Sequence, residues 1–146
     1  MAVKIKLNLD DIGNINFFEN VTKLKVKDCF FDDIQNKLVF VVMPQEIKKL
    51  LNNKFGVEKI KFIEEKIKKK LRIIEFNENP IVFVKNAVLP LKVDDVVFQN
   101  ETNTIIIKSQ DRSVKSMIIG KNASSLNNLK NLVARYFSNI ADIRVE

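Results

Sequence analysis

The sequence contains no histidine. That absence removes the commonest general base, the commonest zinc ligand and every Ser/His or Cys/His nucleophile pair. Carboxylate or lysine chemistry remains open, but no pair of such residues stands at a telling spacing. An enzyme is not expected, nor is a metal site or cofactor. The single cysteine, Cys29, cannot form an intrachain disulfide, which favours a reducing, cytoplasmic compartment. It lies in the apolar-alternating stretch VKDCFF and reads as a small buried hydrophobe, not as a nucleophile. No apolar run approaches the ~18–20 residues of a membrane span. The N-terminal MAVKIKLNLDDIG lacks a long apolar stretch and a small-residue cleavage site, so neither export nor a membrane partner is expected. Glycine is scarce too, with three in the chain. One of them, Gly120 in SMIIGKNASSL, separates two apolar-periodic segments and is followed by Lys121 and Asn122. A glycine there either breaks a helix or lets main chain approach something bulky and negatively charged.

What is present sets the scale. The 146 residues suit one ordinary domain or two very small ones, and 46% of them are apolar. At this length roughly 68–70% of the unfolded surface can be buried. The net charge is +7, the sequence pI is near 9.5 and the mean hydropathy is −0.06. Such an excess suits a polyanionic partner, nucleic acid or an acidic surface. The richness in Lys, Asn and Ile is also what AT-rich coding produces, so charge alone leaves the partner open.

The strongest signal is an internal repeat with an offset of about 67 residues. LKVKDCFFDDIQNKLVFVV (24–42) lies over LKVDDVVFQNETNTIIIKS (91–109) without a gap. Lys25 falls on Lys92, Asp28 on Asp95, Phe31 on Phe98 and Asn36 on Asn103. Leu38, Val39 and Phe40 fall on Ile105, Ile106 and Ile107. The match runs on to Lys54 over Lys121, then slips by one residue, placing Ile60 on Leu126, Ile63 on Leu129 and Ile67 on Val133. Duplication accounts for this better than chance.

Each copy reads alike. A short helix (DDIGNINFFENV or NPIVFVKNAV) comes first, and Pro80 is acceptable at a helix start. A period-2 strand (LKVKDCFF or LKVDDVVF) and a polar link (DDIQN or QNETN) lead to a short buried strand (KLVFVV or TIIIKS), a hairpin. Two helical patterns follow, PQEIKKLLN with VEKIKFIEEKIKKKL and DRSVKSMII with SSLNNLKNLVARYF. They are broken by NKFG in copy one and GKNA in copy two, with Asp111 as an N-cap. RIIEF or ADIRV closes each copy as a strand. The order is α-β-β-α-α-β twice, an α+β fold of two domains, 1–76 and 77–146. The absence of a Gly/Ser linker at the join leads us to expect the two to be packed closely together.

This order, with a four-residue glycine-bearing turn between two helices, resembles the K-homology (KH) domain in its prokaryotic, type II arrangement. Two abutting copies resemble the short archaeal NusA transcription factors, most visibly in VKDCFFD…KLVFVV, IIEFNENPIVFVKNAVLPLKV and IIGKNASSLNNLKNLVARYF. The resemblance implies a partner in single-stranded RNA, a second partner in RNA polymerase, and an influence on elongation or termination. In a KH domain the G-x-x-G turn clamps the backbone of about four nucleotides. Both turns depart from that pattern. Copy two reads Gly120, Lys121, Asn122, Ala123, with alanine for the second glycine. Copy one reads Asn53, Lys54, Phe55, Gly56, with Asn, which tolerates left-handed geometry, for the first.

The residues add candidates of their own. Ser124 and Ser125 open the helix after the copy-two turn, whose start would attract phosphate. Arg112 and Lys115 share a face leading into that turn, and Ile119 is the expected groove residue, with Ile118 and Leu126 serving the core. Phe55 could stack on an unpaired base or tuck onto its own core. The lysine run at 68–70, with Lys54, Lys59, Lys61 and Lys66, makes the second helix of copy one strongly basic, and Glu64 is placed to pair with Lys68 at i,i+4. It reads as a solvated face or as an electrostatic track. A scaffold that docks on polymerase or ribosome with RNA binding largely lost is the alternative function. A chain with two copies already paired has little need to dimerise, so a monomer is expected.

Overall fold

The computed structural model describes residues 9–146. The reading of MAVKIKLN as no export signal, and the first eight residues of the domain 1–76, lie outside the described residues. The elements are α1 (Leu9–Thr22), β1 (Val26–Asp32), β2 (Lys37–Val42), α2 (Glu46–Leu51), α3 (Gly56–Ile67) and β3 (Lys70–Glu75), then α4 (Pro80–Val88), β4 (Asp95–Gln99), β5 (Thr104–Lys108), α5 (Arg112–Ile119), α6 (Ser124–Ala134) and β6 (Asp142–Val145). They fall into two compact units, divided between Asn77 and Glu78. Each unit has the order α-β-β-α-α-β around a three-stranded sheet, β1-β2-β3 or β4-β5-β6. The hairpin pair is antiparallel and the last strand joins parallel to the middle one. Among the described residues no helix is long and apolar enough to cross a membrane.

The two hairpins turn by the same device. Asn36 and Asn103 hold φ of 56° and 51° just before the second strand, the left-handed region that asparagine enters at least cost. In the first hairpin the buried Asp32 caps the turn, its Oδ1 accepting from the N–H of Ile34 (2.9 Å) and Gln35 (3.1 Å). The strands that follow, KLVFVV and TIIIK, are middle strands and carry the near-continuous apolar runs such strands need. Both first strands of the hairpins start later than their period-2 patterns, at Val26 and at Asp95. Asp94 still donates its N–H to the Lys108 carbonyl at 2.8 Å, so pairing begins one residue earlier than the strand.

Each core sits between sheet and helices. In the first unit Phe18, Leu24, Cys29, Leu38, Phe40, Val42 and Ile63 form one buried cluster, with the rings of Phe18 and Phe40 stacked at 4.2 Å. Burying each of these side chains contributes about 1.5–3 kcal/mol before entropy is counted. In the second unit Phe83 meets Tyr136 edge-on at 5.4 Å, and Ile105, Ile107, Ile118, Leu129 and Ile143 are buried. Ile63 and Leu129 occupy the same inward place on α3 and α6, as the slipped register requires. The α4 helix starts where Pro80 suggested, with Asn79 Oδ1 accepting from the Ile81 N–H at 3.0 Å.

Candidate nucleic-acid interface

The copy-two turn is assembled from both of its helices. α5 is capped by Asp111, whose Oδ1 accepts from the N–H of Ser113 (2.8 Å) and Val114 (3.3 Å). Ile118 faces the core and is buried, whereas Arg112, Lys115 and Ile119 fall at i, i+3 and i+7 on another face, exposed or half-buried. The helix stops at Gly120, whose N–H donates to the Ser116 carbonyl at 2.8 Å. A single 3-10 turn, Lys121–Ala123, then leads into α6. Lys121 and Asn122 are exposed, and α6 opens at Ser124 with no side-chain cap. The start of such a helix carries a partial positive charge. Lys121 and Asn122 therefore stand in solvent beside a positive helix end.

The reason for glycine at 120 is internal to the turn. Its φ of 73° and ψ of 176° lie where essentially only glycine goes. A Cβ there would meet Ser125 Oγ at 2.5 Å, Ser125 Cβ at 2.8 Å and Ser125 N at 2.9 Å. The missing side chain thus makes room for the first turn of α6, and close approach by an outside group is not needed to account for it. Asn122 (φ 55°) and Ala123 (φ 61°) are both left-handed. Alanine at 123 carries strain that a second glycine would relieve.

The copy-one turn is built differently. Four residues, 52–55, separate α2 from α3, and Gly56 already belongs to α3. Asn53 does not adopt a positive φ. It braces the turn with its side chain, Oδ1 accepting from the Phe55 N–H at 2.8 Å, and its carbonyl takes the Gly56 N–H at 2.9 Å. Gly56 is buried, and a Cβ there would lie 2.5 Å from the Leu50 carbonyl oxygen. It is a close-packing glycine between two helices. Lys54 is exposed, its Nζ 5.0 Å from the centroid of the Phe55 ring. Phe55 is not tucked onto the core: it is 55% exposed, and Leu51 (76%) and Val57 (66%) stand exposed on either side of it in sequence. Sequence reasoning missed those two flanking residues. Helical spacing gave no signal of their exposure, since Val57 stands three residues before Ile60 and Leu51 closes the preceding helix, α2.

The lysine run departs from its reading as helix. α3 ends at Ile67, and Lys68 is its left-handed C-cap (φ 63°, ψ 38°), donating its N–H to the Glu64 carbonyl. The pairing of Glu64 with Lys68 is therefore corrected. Glu64 instead turns toward β3, accepting from the Leu71 N–H at 2.9 Å and standing 3.9 Å from Lys70 Nζ. Burial lowers the pKa of Arg72, opposed by the charge of Asp32. The hydrogen bond from Lys130 holds the Asp142 carboxyl below its ordinary value, helped by the Ile143 N–H.

Two α-β-β-α-α-β units, each with a third strand parallel to the second and a four-residue turn between its last two helices, define tandem KH-like domains. No family profile matches the chain. A "Probable transcription termination protein NusA" of Methanococcus vannielii is 29% identical over 144 residues, covering 98% of this chain and 80% of its own. Proteins of the same name from Methanocaldococcus jannaschii and Halococcus morrhuae are 26% and 24% identical, covering 97% and 98% of this chain and 75% and 99% of their own. The crystal structure of APE1850 superposes with a TM-score of 0.71 at 21% identity, covering 96% of this chain and all of that one, which shows the fold. Over nearly its whole length the chain is thus similar to archaeal proteins named as NusA. These relatives are named for transcription termination, not for a catalysed reaction.

Proposed function

We propose that the chain is a cytoplasmic, monomeric RNA-binding transcription factor, built of KH domains at 1–76 and 77–146. It holds single-stranded nascent RNA while associated with RNA polymerase and influences elongation or termination. The observation that carries this reading is the copy-two turn, where Lys121 and Asn122 stand exposed before the uncapped start of α6. Gly120 and Ala123 shape the turn. Lys121, Asn122 and Ser124 meet phosphate, and Arg112, Lys115 and Ile119 line the approach. In copy one, Lys54 and Phe55 are the contacting residues, with Asn53 and Gly56 holding the turn.

The internal demand for Gly120 decides how to test this. A substitution at 120 would deform the turn itself, so the middle residues must be changed. Lys121→Asp with Asn122→Asp keeps the backbone, because aspartate also tolerates left-handed geometry. Titration of the full chain with a short unstructured RNA, at several salt concentrations, should show log K falling as log[salt] rises. The double variant should lose about tenfold or more in affinity with its fold intact by circular dichroism. Unchanged binding would overturn the reading.

A second reading has one observation in its favour. Leu51, Phe55 and Val57 give the copy-one turn an apolar surface, which suits docking on a protein of the polymerase or ribosome. Phe55→Ser would then weaken binding to purified polymerase and leave RNA affinity unaltered.

A further inference from the structure

The end of copy one opposite its turn carries a second feature that neither turn explains. Where α3 gives way to β3, a groove of about 430 Å³ is lined by Lys61, Glu64, Glu65, Lys68, Lys69 and Lys70. Lys68 makes this possible. Its left-handed conformation reverses the chain within two residues, so the lysines before and after the reversal come to one corner. One aromatic ring stands beside the corner, Phe31 (40% exposed) under Lys69 at 5.2 Å, whereas Phe62, under Lys66, packs toward Phe17 on another face of α3.

The charges here are unspent. Glu64 is engaged by the Leu71 N–H and by Lys70. Among the described residues, Lys61, Lys66, Lys68 and Lys69 have no ion pair. A helix C-terminus accounts for one or two cations in its last turn, through the macrodipole and the free carbonyls. It does not account for cations at 61, 68, 69 and 70 together, nor for the partly exposed ring beneath Lys69. Cations along a groove, with aromatic faces beside them, are what single-stranded nucleic acid engages without regard to sequence.

We infer that this α3–β3 corner is a second RNA-binding surface, holding the sugar–phosphate backbone of single-stranded RNA by charge and an unpaired base against Phe31. It rests on the reading that the chain binds RNA, but not on which turn does so.

The test uses the full chain and a short oligouridylate. In one variant Lys61→Gln, Lys68→Asn and Lys69→Gln are combined. Asparagine keeps the left-handed cap, and Lys70 is spared because it faces Glu64. In a control Lys85, Lys92 and Lys108, exposed lysines of copy two, are changed to glutamine. The corner variant should show a salt slope shallower by about 2, at about 0.7 per phosphate contact on a single strand, and an affinity lower by on the order of ten- to a hundredfold. The control should move little. Equal losses in both would mean that net charge alone is at work, and would overturn the proposal. So would unchanged RNA binding, including the case in which the variant loses its hold on a polyglutamate chain instead, the mark of an acidic protein partner. If Lys121→Asp with Asn122→Asp leaves RNA binding intact while the corner variant loses it, the copy-two reading falls and the corner stands. The converse pattern removes only the corner.

Discussion

The two turns stand at equivalent places in the two units and solve the same problem by different physics. In copy two the chain reverses through three positive-φ residues, Gly120, Asn122 and Ala123, and glycine is demanded by conformation as well as by Ser125. In copy one no residue of the turn has a positive φ. Asn53 braces the reversal, and glycine is demanded one step later by the Leu50 carbonyl. The outer surfaces have diverged accordingly, Lys121 and Asn122 in one, Leu51, Phe55 and Val57 in the other. A glycine in a familiar motif therefore does not by itself report a ligand. The residues it allows to be presented do.

This contrast can be broken by substitution. Gly120→Ala should cost about 3 kcal/mol in the second unit, combining backbone strain with overlap on Ser125. Adding Ser125→Gly should recover only the steric part, and hydrogen exchange of copy-two amides would show it. Full recovery would mean that the backbone conformation was not the constraint. Gly56→Ala should cost about 2 kcal/mol, confined to the first unit, because a carbonyl held in a helix cannot step aside as a side chain can. If both substitutions cost the same and respond alike to relief, the two glycines are equivalent after all. Ala123→Gly should stabilise copy two by about 1 kcal/mol, seen as a higher denaturation midpoint, since it removes a methyl-bearing residue from left-handed space.

The smallest effect concerns pH. Asp142 has a folded-state pKa below its unfolded one, so its contribution is present above the unfolded value. It is lost as pH falls through the folded value. Lys130→Gln should flatten this acid dependence in copy two and leave copy one unaffected. The Asp142 side chain is 45% exposed, so the change should be a small shift in acid midpoint and not a collapse.

Much of the architecture was legible because the chain states it twice. The polar links DDIQN and QNETN marked both hairpins, the run KLVFVV marked a short buried strand, and the one-residue slip placed Ile63 and Leu129 in equivalent core positions. The site was less legible, since its details depend on backbone dihedrals. Lys68 looked like a helical residue because lysine favours helices, yet the chain needs a left-handed residue there to begin β3. Glu64 then finds the Leu71 N–H, a partner that helical spacing cannot suggest. The role of Ser125 was hidden for a related reason: its side chain matters only through where a Cβ on Gly120 would point.

Tyr136, set edge-on against Phe83 in the second core, has a practical consequence. The chain has no tryptophan and one tyrosine, so its ultraviolet emission above 300 nm comes from a single phenol in copy two. Loosening of that half can be watched by fluorescence while the other half stays dark, without attaching any dye.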